Sequence, residues 1–454
     1  MSSNGHSEAP AEADLLIVGA GAKAAAIAAK VHVVNQLGLG PLAVTIVEKT
    51  EPAASWLGRN GMTSGEEPLA IPPIKDIGFP YQSFKQFGAS WGDAIDAALL
   101  PFSWQRHAIQ RGEYAGWVNS DQPSVRHRDY GAYLRWVLEH ATDGVRIYSG
   151  RVEAVTIEDD PERWSITVAE RGEETDPEHH VGGALLLTGP GVHRALPHDP
   201  RAAPRIFHCD SNRSEFARIP AEEEVEIAIL GGGESALSAL ILLRAFRPRA
   251  RITVFTPMLP LSRGESFLEN RVFADPDDVT WDRLDQQMRR DFVKHTDRGV
   301  FDVGNIATLA GDRQASFELG RALHASAARD GAAVTLEYEA PEGVVAAEFD
   351  YLVNCTGFDL LAQLRGLFSD EVRAVVEREA GQVWDTPPGT EVPIGRALEL
   401  RGLSPRLHIP GLGGLSQGPG FANLGCLGLT ANRMLAPLLP ALSADRLAVT
   451  ADSQ

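Results

Sequence analysis

Cysteine is nearly absent from this chain of 454 residues: Cys209, Cys355 and Cys426 are the only three, and no CxxC or CxxxxC spacing occurs. That scarcity argues against a disulfide framework, a structural zinc site or a redox-active dithiol. Long apolar runs are missing as well. No stretch of about 18 apolar residues is present, so no segment is expected to span a membrane. Met1 to Ala13 lacks the basic start and apolar centre of a signal peptide, and reads as a short flexible tail. The cytoplasm is the default location. Basic charge is in deficit: 42 Lys and Arg face 61 Asp and Glu, a net charge of −19. That balance argues against a nucleic-acid or anionic-membrane partner, and any phosphate-bearing ligand would need local basic residues. No tract repeats at solenoid length, no metal-ligand spacing stands out, and no protein nucleophile is evident.

Glycine is plentiful, with 44 residues, and two of its clusters are placed alike. Asp14-Leu-Leu-Ile-Val-Gly19-Ala-Gly21-Ala-Lys-Ala24 leads into the Ala-rich run Ala25 to Val34. Glu226-Ile-Ala-Ile-Leu-Gly231-Gly-Gly233-Glu-Ser-Ala236 leads into Leu237 to Ala245. In each, a short apolar run without alternation predicts a parallel strand buried on both faces, and the following Ala- and Leu-rich stretch predicts a helix. A second apolar run closes each unit, Ala43 to Val47 and Ile252 to Phe255. These are two βαβ units. Further strands are expected at Val145 to Tyr148, Trp164 to Val168, Ala184 to Thr188 and Tyr351 to Cys355. Helices are expected at Arg126 to His140 and around Ser316 to Arg329. Arg263 to Ile306 reads as polar and irregular, and Gly413 to Leu435 as a loop feeding a helix.

The chemistry starts at the glycines. In Gly19-x-Gly21-x-x-Ala24, Gly19 permits the tight turn, Gly21 lets backbone approach a pyrophosphate, and Ala24 allows close packing of helix on strand. The helix N-terminus offers free N–H groups to phosphates. Glu48, followed by Lys49, closes the second strand where a carboxylate can accept from ribose hydroxyls. Gly231, Gly233, Ser235 and Ala236 repeat the pattern, but the strand after them ends in Phe255-Thr256-Pro257 without an acid. Lack of that carboxylate favours NADPH over NADH, and Arg263 could pair with the 2′-phosphate or stand as a solvated loop residue. Thr188-Gly189 and Thr356-Gly357 end two further strands with a turn, and taken alone each is just a strand end.

Other motifs narrow the class. Trp56, Leu69-Ala-Ile-Pro-Pro-Ile-Lys75-Asp76, Pro101-Phe-Ser-Trp104 and Asp129-Tyr-x-x-Tyr-Leu-Arg-Trp136 precede the second unit. Phe267-Leu-Glu-Asn270-Arg-Val-Phe273, Thr296-Asp297-Arg-Gly-Val300 and Gln417-Gly-Pro-Gly-Phe421-x-Asn423-Leu-Gly425 follow it. In these the chain resembles the flavin-dependent N-hydroxylating monooxygenases of siderophore biosynthesis, and within them the lysine epsilon-amine hydroxylases of mycobactin and nocobactin type. The resemblance implies an α/β fold with two Rossmann-like dinucleotide-binding domains, for FAD and NADPH, and a smaller, mostly helical substrate lobe. The expected layout is an FAD-binding domain at 13–200, resumed at 349–440 with a substrate-site loop. The NADPH-binding domain takes 201–262 and 311–348, the substrate lobe 263–310, and flexible tails 1–12 and 441–454.

Such enzymes reduce FAD with NADPH, trap dioxygen as a flavin hydroperoxide while NADP⁺ stays bound, and pass one oxygen to an amine. By the resemblance, Lys75 contacts the amino acid's carboxylate, although an exposed loop lysine paired with Asp76 is the plainer alternative. Asn270 binds the backbone amine or carboxylate. Asp297 holds the side-chain ammonium or pairs with Arg298. Gly425 stands where the ornithine type carries serine, and Ala70 where that type carries a glutamine beside the flavin. Trp56 is placed near the flavin or in the core. Lys23, at a helix start, opposes the dipole unless it finds an acceptor. A homo-oligomer is implied as well. Alternatives are an ornithine or diamine N-hydroxylase, a carbon- or sulfur-oxygenating flavoenzyme, which would usually show an FxGxxxHxxxW-like stretch that is missing here, and a reductase that only wastes NADPH.

Overall fold

The computed structural model describes residues 12–59, 63–169, 177–209, 213–221, 223–258, 261–262, 267–279, 281–297, 299–301, 311–387 and 389–439. Two parallel five-stranded sheets organise it. The first has the order β10-β4-β1-β2-β3, built from β1 (Leu15–Val18), β2 (Val44–Glu48), β3 (Val145–Ser149), β4 (Ala184–Leu187) and β10 (Arg406–His408). The second has the order β8-β7-β6-β9-β5. Its strands are β5 (Ile206–His208), β6 (Glu226–Leu230), β7 (Arg251–Thr256), β8 (Ala315–Leu319) and β9 (Tyr351–Asn354). Leu15, Leu16 and Ile17 are wholly buried, as are Ile227, Ala228 and Ile229, which is what unalternating apolar strands require. Both βαβ units therefore stand as the glycine clusters predict.

Helix α1 (Ala22–Gln36) is buried along most of its length, and its alanines let it lie close to its neighbours. One polar residue penetrates this packing. Lys30 is buried and donates to Ser83 Oγ at 2.8 Å, which in turn donates to Asp96 at 2.5 Å. Burial lowers the Lys30 ammonium to about 7. Helix α2 (His127–His140) sits where the amphipathic pattern places it, with Tyr130, Tyr133, Leu134 and Val137 inward. Helix α3 (Glu234–Phe246) follows the second glycine turn.

Three expectations need correction. Ser316 to Arg329 is not helical: β8 ends at Leu319 and the strand Arg321–Ala328 pairs antiparallel with Ala333–Ala340, which pairs with Gly343–Phe349. Alanine's helix propensity yields there to pairing with the strand Ala333–Ala340. Gly320 sits at the junction, where a Cβ would come within 2.6 Å of the Tyr338 ring. The strand Tyr351–Asn354 pairs with β6, so the chain stays with the second sheet past the boundary drawn at 349. Arg263 to Ile306 is largely helical where described, with α4 (Phe267–Ala274) and α5 (Gln286–Thr296). Polar residues hid α5 because only Val293 and Thr296 of it are buried; its start is set by Asp285, whose carboxylate accepts from the Met288 N–H at 2.8 Å. Residues 1–11 and 440–454, read as tails, lie outside the described residues.

The two crossings between the units run side by side. Val192–His193 pairs antiparallel with Phe358–Asp359, and Arg194 N–H donates to Gly357 O at 3.0 Å. The return segment then passes beneath the small lobe and ends in α6 (Leu427–Leu435), which packs on α1. Two of its glycines are obligatory. A Cβ on Gly420 would lie 2.0 Å from the Phe273 carbonyl oxygen, and one on Gly418 would lie 2.5 Å from Pro276. Among the described residues no helix is long and apolar enough to cross a membrane. Gly420→Ala is expected to lower the melting temperature by several degrees, the effect of about 1–3 kcal/mol of overpacking, and a melt of the FAD-loaded protein checks it.

Candidate active site

Gly19 adopts φ +97°, and a Cβ there would meet Thr188 Oγ1 at 2.4 Å. Thr188 ends β4 and donates to the Val18 carbonyl at 2.9 Å, so the turn after β1 and the turn after β4 lock each other. Glu48 is fixed by the same turn: one oxygen accepts from Ala20 N–H at 2.8 Å, the other from Thr50 N–H and hydroxyl at 2.9 and 2.8 Å. Lys49 follows it, exposed. A Cβ on Gly21 would meet nothing within 4 Å. The first turn of α1 has no side-chain cap and no acidic residue, which leaves its N–H groups and positive end for an anion. Buried Ala24 gives the helix its close seat. This cradle fits a dinucleotide pyrophosphate. Lys23 finds acceptors after all: its ammonium lies 3.4 Å from the carbonyls of Ala422 and Asn423.

The second turn is similar in backbone and different in charge. Gly231 has φ +130°, and a Cβ would lie 2.3 Å from the Cys355 carbonyl oxygen. Gly233 precedes α3, again without a side-chain cap, while Ser235 and buried Ala236 form its first turn with Glu234. Strand register identifies the residue equivalent to Glu48. Val18 pairs with Val47 and Leu230 with Phe255, so Thr256 holds that place. Its hydroxyl donates to Met258 O at 2.6 Å and presents no charge to repel a 2′-phosphate. Arg263 lies outside the described residues. Thr356 is turned by Asn354, whose Oδ1 accepts from its N–H and hydroxyl at 3.1 and 2.7 Å, and Gly357 follows with φ +106°.

Between these turns the expected substrate residues gather in two pairs. Lys75 donates to Asn270 Oδ1 at 2.5 Å, bringing a loop of the first unit to α4. Asp76 is 3% exposed and turned inward, accepting from Gly78 N–H at 3.1 Å, Tyr81 hydroxyl at 2.9 Å and Trp104 N–H at 2.9 Å. Burial raises its carboxyl to about 6 despite the three donors. In the second pair, Asn423 Nδ2 donates to Asp297 Oδ1 at 3.1 Å, and Gly425 N–H donates to Asn423 Oδ1 at 2.7 Å. Gly425 thus serves through its backbone; a side chain there would press on Phe273 Cβ, 3.2 Å away. Trp56 packs edge-on against His127 and Tyr130 of α2, with ring centres 5.1 and 5.5 Å apart.

Sequence reading missed the residues that hold these pairs in register. Lys85 forms an ion pair with buried Asp275, just beyond α4, and buried Arg433 forms one with Asp277 at 2.6 Å while its guanidinium covers the Phe421 ring at 4.3 Å. Burial would raise Asp277, but Arg433 and Arg396 hold its carboxyl below the usual range. Glu67 was missed too. It accepts from Thr63 and Ser64 of its own loop and, at 3.2 Å, from Ser238 of α3 across the two units. An isolated charge in sequence gives no sign of such distant partners; only Asn423, inside an Asn-x-Gly turn, carried a local signal.

Two parallel sheets, each opening a helix onto a glycine turn and linked by paired crossings, define a two-dinucleotide flavoprotein fold. A family described as L-lysine 6-monooxygenase/L-ornithine 5-monooxygenase matches residues 99–359. The chain is 35% identical over 431 residues to the L-lysine N6-monooxygenase MbtG of Mycolicibacterium paratuberculosis, covering 94% of this chain and 95% of that protein. Its counterpart in Mycobacterium tuberculosis is equally similar, 35% over 432 residues. The lysine monooxygenase NbtG from Nocardia farcinica superposes with a TM-score of 0.77 at 33% identity, over 93% of this chain and all of that one. The chain belongs to the lysine/ornithine N-monooxygenase family. Its fold is shared at 19% identity by the ornithine hydroxylase PvdA of Pseudomonas aeruginosa, TM-score 0.71.

Asp76 gives a pH signature. Protonation near pH 6 turns one carboxyl oxygen into a donor, so one of its three accepted bonds is lost and the turn beneath Lys75 loosens. The apparent KM for the amino-acid substrate is expected to rise severalfold between pH 7 and 5.5, where the substrate amine itself stays charged. Because the folded carboxyl binds its proton before the unfolded one, the cost of Asp76 to the fold is full above pH 6 and fades as pH falls from 6 towards the ordinary carboxylate range, so the KM rise should come without an Asp76-driven loss of stability. Asp76→Asn should show the higher KM at both pH values, measured by initial rates.

Proposed function

We propose that this protein N-hydroxylates the side-chain amine of a free amino acid, L-lysine first, with FAD, NADPH and dioxygen. One oxygen atom enters the N–O bond of the product, the other leaves as water, and NADPH supplies the two electrons. The observation that carries the reading is the juxtaposition of a cationic pair, Lys75 with Asn270, and a carboxylate, Asp297 with Asn423. An α-carboxylate and a terminal ammonium need those two ends, and a plain diamine has nothing to offer Lys75. Bound FAD supplies the oxygen-transferring chemistry; the cradle at Gly19, Gly21, Ala24 and Glu48 supports its seat. Gly231, Gly233, Ser235, Ala236, Thr356 and Gly357 support that of NADPH, and Trp56 backs the first unit.

The amine attacks only when neutral, and a lysine ammonium in water has a pKa of about 10.4, so the site must take a proton before transfer. Asp297 holds the cation on arrival, and exclusion of water by the lobe favours its neutral form. The same reading carries a homo-oligomer in the cytoplasm.

The test is purified protein with FAD and NADPH, offered lysine, ornithine and cadaverine, with hydroxylamine measured separately from peroxide. Lysine is expected to give the largest hydroxylamine yield per NADPH. Peroxide alone with every amine would overturn the assignment. Lys75→Ala should raise the lysine KM at least tenfold, the effect of losing one charge-assisted contact. An unchanged KM removes Lys75 from the site.

A further inference from the structure

We propose that Asn423 is a positioning residue that sets the reach of the site, by holding the Asp297 carboxylate at a fixed distance from Lys75 and Asn270. The inference rests on the reading of Asp297 as the seat of the substrate ammonium. Four observations support it. The amide of Asn423 has one defensible orientation: the Gly425 N–H, at 2.7 Å, must face an oxygen, so the nitrogen faces Asp297 Oδ1 at 3.1 Å. The donor is neutral, and it therefore orients the carboxylate without cancelling its charge.

Asp297 itself is the C-cap of α5, its N–H bonded to the Val293 carbonyl. A carboxylate at that end opposes the helix dipole, an arrangement that costs stability and that a cationic ligand relieves. Asn423 is also rigidly mounted. Lys23 of the first glycine turn reaches its carbonyl and that of Ala422, both at 3.4 Å, which ties it to the FAD cradle. On the other side, Gly425 and Gly420 lie against Phe273, one helical turn from Asn270 on α4. Both ends of the substrate site are thereby referred to one short segment, 420–425. Lysine and ornithine differ by one methylene, worth roughly 10–200-fold in selectivity when a site holds its two ends rigidly.

The experiment compares Asn423→Ala, Asn423→Asp and Asp297→Asn in the FAD-loaded enzyme, with KM and kcat for lysine and for ornithine. Asn423→Asp keeps the acceptor for Gly425 N–H and replaces the donor to Asp297 with a carboxylate oxygen that repels it, so it tests the proposal even if the alanine variant fails to fold. For it we expect the lysine KM to rise about tenfold, with kcat within threefold, and the lysine-to-ornithine ratio of kcat/KM to fall at least fivefold. If Asp297→Asn raises the lysine KM while Asn423→Asp leaves both KM and the ratio unchanged, Asn423 does not position Asp297. An equal loss of kcat/KM for both amino acids in Asn423→Asp would mark a merely structural role and also overturn the proposal. If Asp297→Asn leaves the lysine KM unaltered, the failure lies with the reading of Asp297 and takes the inference down with it.

Discussion

The small lobe is held to the first nucleotide unit by two part-buried ion pairs, Lys85 with Asp275 and Arg433 with Asp277, and the site depends on them. Each aspartate lies just past α4, the helix that bears Asn270. Such pairs contribute little net stability over an apolar contact, yet removal of Lys85 or Asp277 leaves the buried partner, Asp275 or Arg433, without its counter-charge. Their effect is therefore on register. A lobe that slid by a few ångströms would lose both pairs together, and Asn270 could no longer meet Lys75.

That arrangement explains why so few of the site's residues come from regular elements. Lys75 and Asn423 lie on turns, Asp297 caps a helix, and Asn270 alone projects from within one. Turns can serve because each is braced from below: Asp76 fastens the Lys75 loop to Trp104 and Tyr81, and the Gly425 N–H fastens Asn423. Ser238 to Glu67 is one hydrogen bond between α3 and the first unit, and the paired crossings beside Gly357 are short. Burial would push the Glu67 carboxyl up, but Thr63 and Ser64 donors hold it below its ordinary value, so the acceptor for Ser238 stays ionised.

Legibility in sequence followed the range of the interaction. The glycine turns were readable because their chemistry is local: a tight turn, a bare backbone and a carboxylate one strand away occupy a few dozen residues. Lys75, Asn270, Asp297 and Gly425 were visible only through family motifs, since nothing near any of them in sequence says what faces it. Ser316 to Arg329 was misread because alanine and leucine favour helix locally, while Ala325 and the neighbouring strand 333–340 decide the outcome from outside the segment. Asp275 and Asp277 gave no sign at all, for their partners stand far along the chain.

The floor of the site is made of glycines, and this limits how the family can change its substrate. A Cβ on Gly418 or Gly420 would run into Pro276 or the Phe273 carbonyl, so neither can take a side chain without displacing the lobe, whereas Gly425 has only contacts of 3.0–3.2 Å to yield. Adaptation to a longer or shorter amine is therefore left to Gly425, the Lys75 loop and the cap of α5. Divergence in specificity should accordingly be recorded there, while Gly418 and Gly420 stay silent.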